Sequence, residues 1–129
     1  MELSVRFDPK QPPRRFRAGG VEMQDCGTLA LDAEEQVTLV TASGAEYDVA
    51  RKDWGFYAMP SLDGRLGEFG LRAVLVRSAP TGRHFLLLVE MGREDSFQRY
   101  IAAEKLRVVC WLDSAAACER LDRLVSAAR

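Results

Sequence analysis

The chain has 129 residues, 47% of them hydrophobic and 29% charged, and 18 basic against 19 acidic side chains leave a net charge of −1. That length suits a single domain, residues 1–129, whose core needs no metal or disulfide staple. The near-even charge balance argues against a dedicated binder of nucleic acid or anionic membrane.

Residues 2–8 read as a short strand or an ordered arm. Residues 9–20 read as a solvated loop, because Pro9, Pro12, Pro13, Gly19 and Gly20 punctuate it. Lys10, Arg14, Arg15 and Arg17 make it basic, so an anion-binding arm whose arginines need not be ordered is the other reading. Thr28 to Leu31 looks like a strand end, and Asp32 to Glu35 a polar turn. Gln36 to Thr41 and Glu46 to Ala50 form the clearest hairpin. A three-residue loop, Ala42-Ser43-Gly44, sets Leu39 opposite Tyr47 and Val37 opposite Val49. A two-residue loop would oppose Leu39 to Asp48, so apolar pairing selects the longer loop with a bulge at Gly44.

Pro60-Ser61 introduces a short helix, with Ser61 as cap, Leu62, Leu66 and Phe69 on one face, and Gly70 as its end. Leu71 to Arg77 and His84 to Met91 flank a turn at Ala79-Pro80-Thr81-Gly82. The continuous apolar run Phe85 to Val89 predicts a strand buried on both faces, hence central in its sheet. Glu94 to Glu104 follows as a helix with Phe97, Tyr100 and Ile101 facing the core. Leu106 to Leu112 is a strand, and Asp113 or Ser114 caps a last helix bearing Ala117, Leu121, Leu124 and Val125. The class expected is α+β: a mainly antiparallel twisted sheet of about five to seven strands, a short central helix and two C-terminal helices.

The richest segment for function is Asp53 to Arg65. Trp54, Phe56 and Tyr57 fall within four positions, behind Arg51, Lys52 and Asp53. Glycine between large rings is unusual in a core strand, since it weakens the strand and packs nothing. Packing in the core is the ordinary role for such rings. The other role is a contact surface, with the rings stacking on a ligand and Arg51, Lys52 and Arg65 holding a phosphate or carboxylate. Asp53, Tyr57, Asp63 and His84 are the acid/base candidates, but no catalytic motif frames any of them.

Cys26, Cys110 and Cys118 are widely spaced and form no C-x-x-C pair, so reduced thiols are expected rather than a disulfide framework or zinc site. The residues after Met1 lack a secretory apolar region, and Phe85 to Val89 is too short to span a bilayer. A cytoplasmic protein without metal or cofactor is expected. Ala115, Ala116 and Ala117 with Leu121, Leu124 and Val125 could form a homodimer face on the last helix.

At Asp25-Cys26-Gly27, Tyr47 through Tyr57, Pro60-Ser61, Gly64-Arg65-Leu66 and Trp111-Leu112, the chain resembles a small family of uncharacterised bacterial proteins. The likeness covers residues 21–113 and includes the segment DWGFYAxPSxxGRL. It implies a setting among genes for cell-surface polysaccharide or nonulosonic (sialic-like) sugar synthesis, and it brings no activity or functional residue with it. The function expected is a non-catalytic accessory module that binds a protein partner or a small anionic or sugar ligand. Its surface would be Arg51, Lys52, Asp53, Trp54, Phe56, Tyr57 and Arg65. A small enzyme acting on a sugar or sugar nucleotide, and a structural homo-oligomer, are the alternatives.

Overall fold

Short alternating runs of β-branched and aromatic residues, separated by glycine and proline, make strand the commonest state of this chain. The computed structural model describes residues 5–58 and 60–128. In chain order these hold β1 (Arg6–Ala18), β2 (Val21–Ala30), β3 (Gln36–Val40), β4 (Glu46–Lys52), β5 (Gly55–Tyr57), α1 (Arg65–Glu68), β6 (Leu71–Ser78), β7 (His84–Glu90), α2 (Glu94–Ala103), β8 (Leu106–Trp111) and α3 (Ala115–Ala127). The fold is mixed, with antiparallel sheets and three helices. The strands do not join into the single sheet expected. They form three, in the orders β1-β2, β3-β4-β5 and β7-β6-β8. The chain groups into two compact units, one running up to Val37 and taking in Asp48–Ala58, the other holding Thr38–Tyr47 and the chain beyond Ala58.

In the first unit, β1 and β2 form a long antiparallel ribbon, from Arg6 opposite Ala30 to Ala18 opposite Val21. Residues 9–18, expected as loop, are therefore strand, while residues 2–4 of the expected N-terminal strand lie outside those described. The prolines mislead because both strands of a two-stranded ribbon are edges, where a missing N–H costs no ladder bond. A register shift between Pro9 and Arg14 absorbs the remainder. The basic side chains find acids across the ribbon: Lys10 and Arg14 reach Asp25 at 3.2 and 3.5 Å, and Arg15 reaches Glu22 at 4.0 Å. These exposed pairs fix position more than they stabilise. Lys10, foremost, and the Gly27 N–H hold the Asp25 carboxyl below the usual carboxylate range.

Gly27 is the tightest point of the ribbon. Its φ is +149°, and a Cβ there would meet the Asp8 carbonyl oxygen at 2.4 Å. Backbone cannot yield as a flexible side chain can. Gly27→Ala is expected to open the ribbon around Asp8 and Pro9. Hydrogen exchange should show lost amide protection across β1 and β2, with β6 unchanged.

The β3–β4 turn follows the three-residue reading. Gly44 N–H donates to the Thr41 carbonyl at 3.1 Å, and Thr41 N–H to the Ala45 carbonyl at 3.0 Å. Gly44 takes the positive φ, +98°, that the bulge needs. Further along the same register, Arg51 N–H donates to the Glu35 carbonyl at 2.8 Å.

In the second unit, β6 is the central strand, pairing β7 from Leu71↔Glu90 to Arg77↔His84 and β8 from Val74↔Trp111 to Ser78↔Leu106. This corrects the placing of β7 at the centre. Its apolar run is not enclosed on both sides: Phe85 and Leu86 are 46% and 45% exposed. Two apolar clusters flank the sheet. Ala45, Leu66, Leu71, Ala73 and Leu112 form one, and Val74, Val76, Val89, Phe97 and Ile101 the other. Phe97 and Ile101 are the buried residues of α2, and Tyr100, expected with them, is exposed. Helix α1 is one turn, held by Ser61, whose hydroxyl accepts the Arg65 N–H at 2.8 Å. Ser114 caps α3 as expected, accepting the Ala117 N–H at 3.1 Å, but α3 buries none of its residues.

Glu90, at the end of β7, takes the hydroxyls of Ser43 and Thr41, the latter at 2.9 Å. These donors, Ser43 first, hold its carboxyl below its ordinary 4.5. A depressed folded value stabilises fully above 4.5 and is lost as pH falls through the lower folded value. The melting temperature should therefore fall as pH drops from neutral into the carboxylate range. In Glu90→Gln the fall should be shallower, a comparison that calorimetric melts at a series of pH values make directly.

Candidate functional site

The aromatic segment is the tip of the β4–β5 hairpin. Lys52 pairs with Gly55, Arg51 with Phe56 and Ala50 with Tyr57, leaving Asp53 and Trp54 as the turn. A two-residue turn has no flanking strand to cover its side chains, so Trp54 stands 69% exposed. Phe56 and Tyr57 are 57% and 52% exposed. The ordinary expectation, that these rings fill the core, is thus corrected. Trp54 belongs to the turn and not to a strand face shared with Phe56. Phe56 and Tyr57 are neighbours in a strand and so point to opposite faces.

The cations beside them are already engaged. The Arg51 guanidinium lies over the Phe56 ring, 5.8 Å from its centroid, and donates to the Gly55 carbonyl at 3.2 Å. Lys52 Nζ pairs with Glu34 at 2.9 Å. Both cations are thus engaged within the first unit. Asp53 is exposed in the turn. Arg65, expected on the rim of this surface, belongs to the second unit, where it lies over the Phe69 ring at 5.0 Å.

Asp63 and His84, the acid/base candidates of the second unit, stand on different elements, Asp63 in the turn before α1 and His84 at the start of β7. Burial, then the charges of Asp63 and Asp113, push the Cys118 thiol up. Cys118 Sγ approaches the Leu112 carbonyl, and Leu112 N–H donates to Ala73 at 2.9 Å. His84 pairs with Arg77, four residues further along β6, which is about 13 Å at the rise of a strand. Asp53 and Tyr57 lie on the exposed hairpin of the first unit.

Two features had no signal in the sequence. Arg72 lies over Trp111 at 4.1 Å, pairs with Asp113 at 2.6 Å and reaches Glu94 at 3.3 Å. These partners are too far away in the chain for spacing to reveal. The second is a groove of about 390 Å³ between β7 and α2, lined by Leu87, Val89, Arg93, Ser96, Phe97 and Tyr100. Among the described residues, no three His, Cys, Asp or Glu side chains are grouped to hold a metal ion. No helix among them is long and apolar enough to cross a membrane. Cys26, Cys110 and Cys118 are free thiols. No family model, curated protein or solved structure matches the chain.

Proposed function

We propose that this chain is a non-catalytic binding module that inserts its β4–β5 hairpin into a cleft of a protein partner, with Trp54 leading. The observation that carries the reading is the exposure of Trp54, Phe56 and Tyr57 on one short hairpin. Fully burying rings of this size would be worth about 2 kcal/mol each. The fold forgoes most of that, and a partner can recover it. Exposed rigid aromatics are the usual anchors of interface hot spots.

The display also favours a protein over a small ligand. Rings at the tip and on both faces of a hairpin cannot form one flat platform for a single sugar ring. Arg51 and Lys52 are tied to Gly55 and Glu34, so holding an anion would cost them those contacts. On the family resemblance over residues 21–113, the partner would belong to bacterial cell-surface sugar synthesis.

The test is photo-cross-linking in producing cells, with a benzophenone amino acid at position 54. The expected result is an adduct of one discrete mass that is absent when the probe sits at Glu119, an exposed position on α3. Adducts that are equal from both positions, or none from position 54, would overturn the reading.

A further inference from the structure

We infer that β7 is a homodimer interface, two copies pairing antiparallel about a two-fold axis at Leu87 so that the sheets β7-β6-β8 join edge to edge. The inference concerns the second unit alone and is independent of the aromatic hairpin. β7 is an edge of its sheet. Ser78 N–H donates to the Arg83 carbonyl, and Met91 N–H donates to the Gly70 carbonyl, both at 2.8 Å. Hydrogen-bonded pairs alternate along an antiparallel ladder, so the odd-numbered residues of β7 turn their backbone to β6. The N–H and C=O groups of His84, Leu86 and Leu88 and the N–H of Glu90 face away from the sheet, while the Glu90 carbonyl accepts the Arg93 N–H at 3.0 Å. An apolar edge of this kind is a template for another strand.

Centring the axis on Leu87 is what the outward groups select. It sets His84 opposite Glu90 of the second copy and Leu86 opposite Leu88, using all four outward residues of each strand. The ladder then holds about six backbone hydrogen bonds between copies, two for each Leu86–Leu88 pair and one, from the Glu90 N–H, for each His84–Glu90 pair. Moving the centre to Leu88 would leave His84 without a partner in the ladder, and moving it to Leu86 would leave the Glu90 N–H without one. The side chains agree with the chosen centre, because each His84 imidazole, a hydrogen-bond donor, meets a Glu90 carboxylate. Glu90 takes Ser43 and Thr41 on its Oε1, which leaves Oε2 for the His84 of the second copy.

The same axis fills the groove between β7 and α2. Across a ladder centred on Leu87, Phe85 lies opposite Val89 of the second copy, on the sheet face that carries α2. Phe85 is 46% exposed, and Val89, Phe97 and Tyr100 line the groove of about 390 Å³ beside it. The occupant of the groove is therefore Phe85 of the second copy, reciprocally on both sides, as two-fold symmetry requires.

Sedimentation equilibrium of the full chain is the test. The native protein should show a concentration-dependent mass rising to twice 14.4 kDa. Leu86→Lys, at an exposed position that leaves the β6 ladder intact, should weaken the dimer at least about tenfold. His84→Glu, which sets two carboxylates face to face, should do the same, since like charges opposed in an interface cost several kcal/mol. Leu124→Lys on α3 should leave the dimer unchanged. A native chain at 14.4 kDa throughout, or a dimer that survives Leu86→Lys and dissociates with Leu124→Lys, would overturn the inference.

Discussion

Leu66→Ala is expected to destabilise the protein by about 3 kcal/mol, the usual loss when a fully enclosed leucine is cut back to its Cβ. Leu66 has no exposed surface and is the buried residue of α1. It packs among Ala45, Leu71, Ala73 and Leu112, with Tyr47, Leu62, Leu75, Leu88 and Cys110 around them. A one-turn helix has almost no stability of its own, so this side chain is what holds it in place. Ala45 and Ala73 are too small to close the space left behind. For a domain of this size the loss corresponds to a fall of roughly 12 °C in melting temperature. Leu66→Met, which keeps the volume, should cost less than about 1.5 kcal/mol. Calorimetric melts of the two variants beside the native protein distinguish cavity formation from simple intolerance of change.

Trp54→Ala is expected to do the reverse. The ring stands in the β4–β5 turn, and the strand pairs Arg51↔Phe56 and Ala50↔Tyr57 do not depend on it. The melting temperature should stay within about 2 °C of native, as for surface substitutions away from caps and strained backbone. Affinity for the partner cross-linked from position 54 should fall at least about thirtyfold, which is the 2 kcal/mol expected of an anchoring residue. Phe56→Ala should lose less affinity, because its ring also supports the Arg51 guanidinium from within the hairpin. Titration calorimetry gives the affinities, and melts of the same samples give the stabilities.

Where a local rule governed, the sequence was legible. The Gly44 bulge, the Ser114 cap and the Ala79–Gly82 turn all rest on chemistry within four or five residues, and all three form. Two misreadings have physical causes. Pro9, Pro12 and Pro13 argued for loop, but a ribbon of two edge strands tolerates proline, and Asp25 and Glu22 supply its basic strand with cross-strand partners. The run Phe85 to Val89 argued for a central strand. Apolar composition does not distinguish a strand enclosed by its own fold from one that keeps an apolar edge, and burial shows β6 to be the enclosed strand.

The candidate surface was legible in composition and not in placement. Three rings around a glycine marked out the segment, yet they fit a core as well as a surface. What decides between the two is a two-residue turn that lifts Trp54 clear of both strands. Arg65 groups with Arg51 and Lys52 by proximity in the chain. It serves the second unit, over Phe69. The Arg72 cluster with Trp111, Asp113 and Glu94 had no signal at all, since it is assembled by sheet register.

The claim that the β4–β5 hairpin is the contact surface is tested most directly by hydrogen exchange on the chain alone and with the partner cross-linked from position 54. The account predicts new amide protection over residues 50–57 in the complex, with β6 and β8 unchanged. Protection appearing elsewhere while residues 50–57 exchange as they do in the free chain would contradict it.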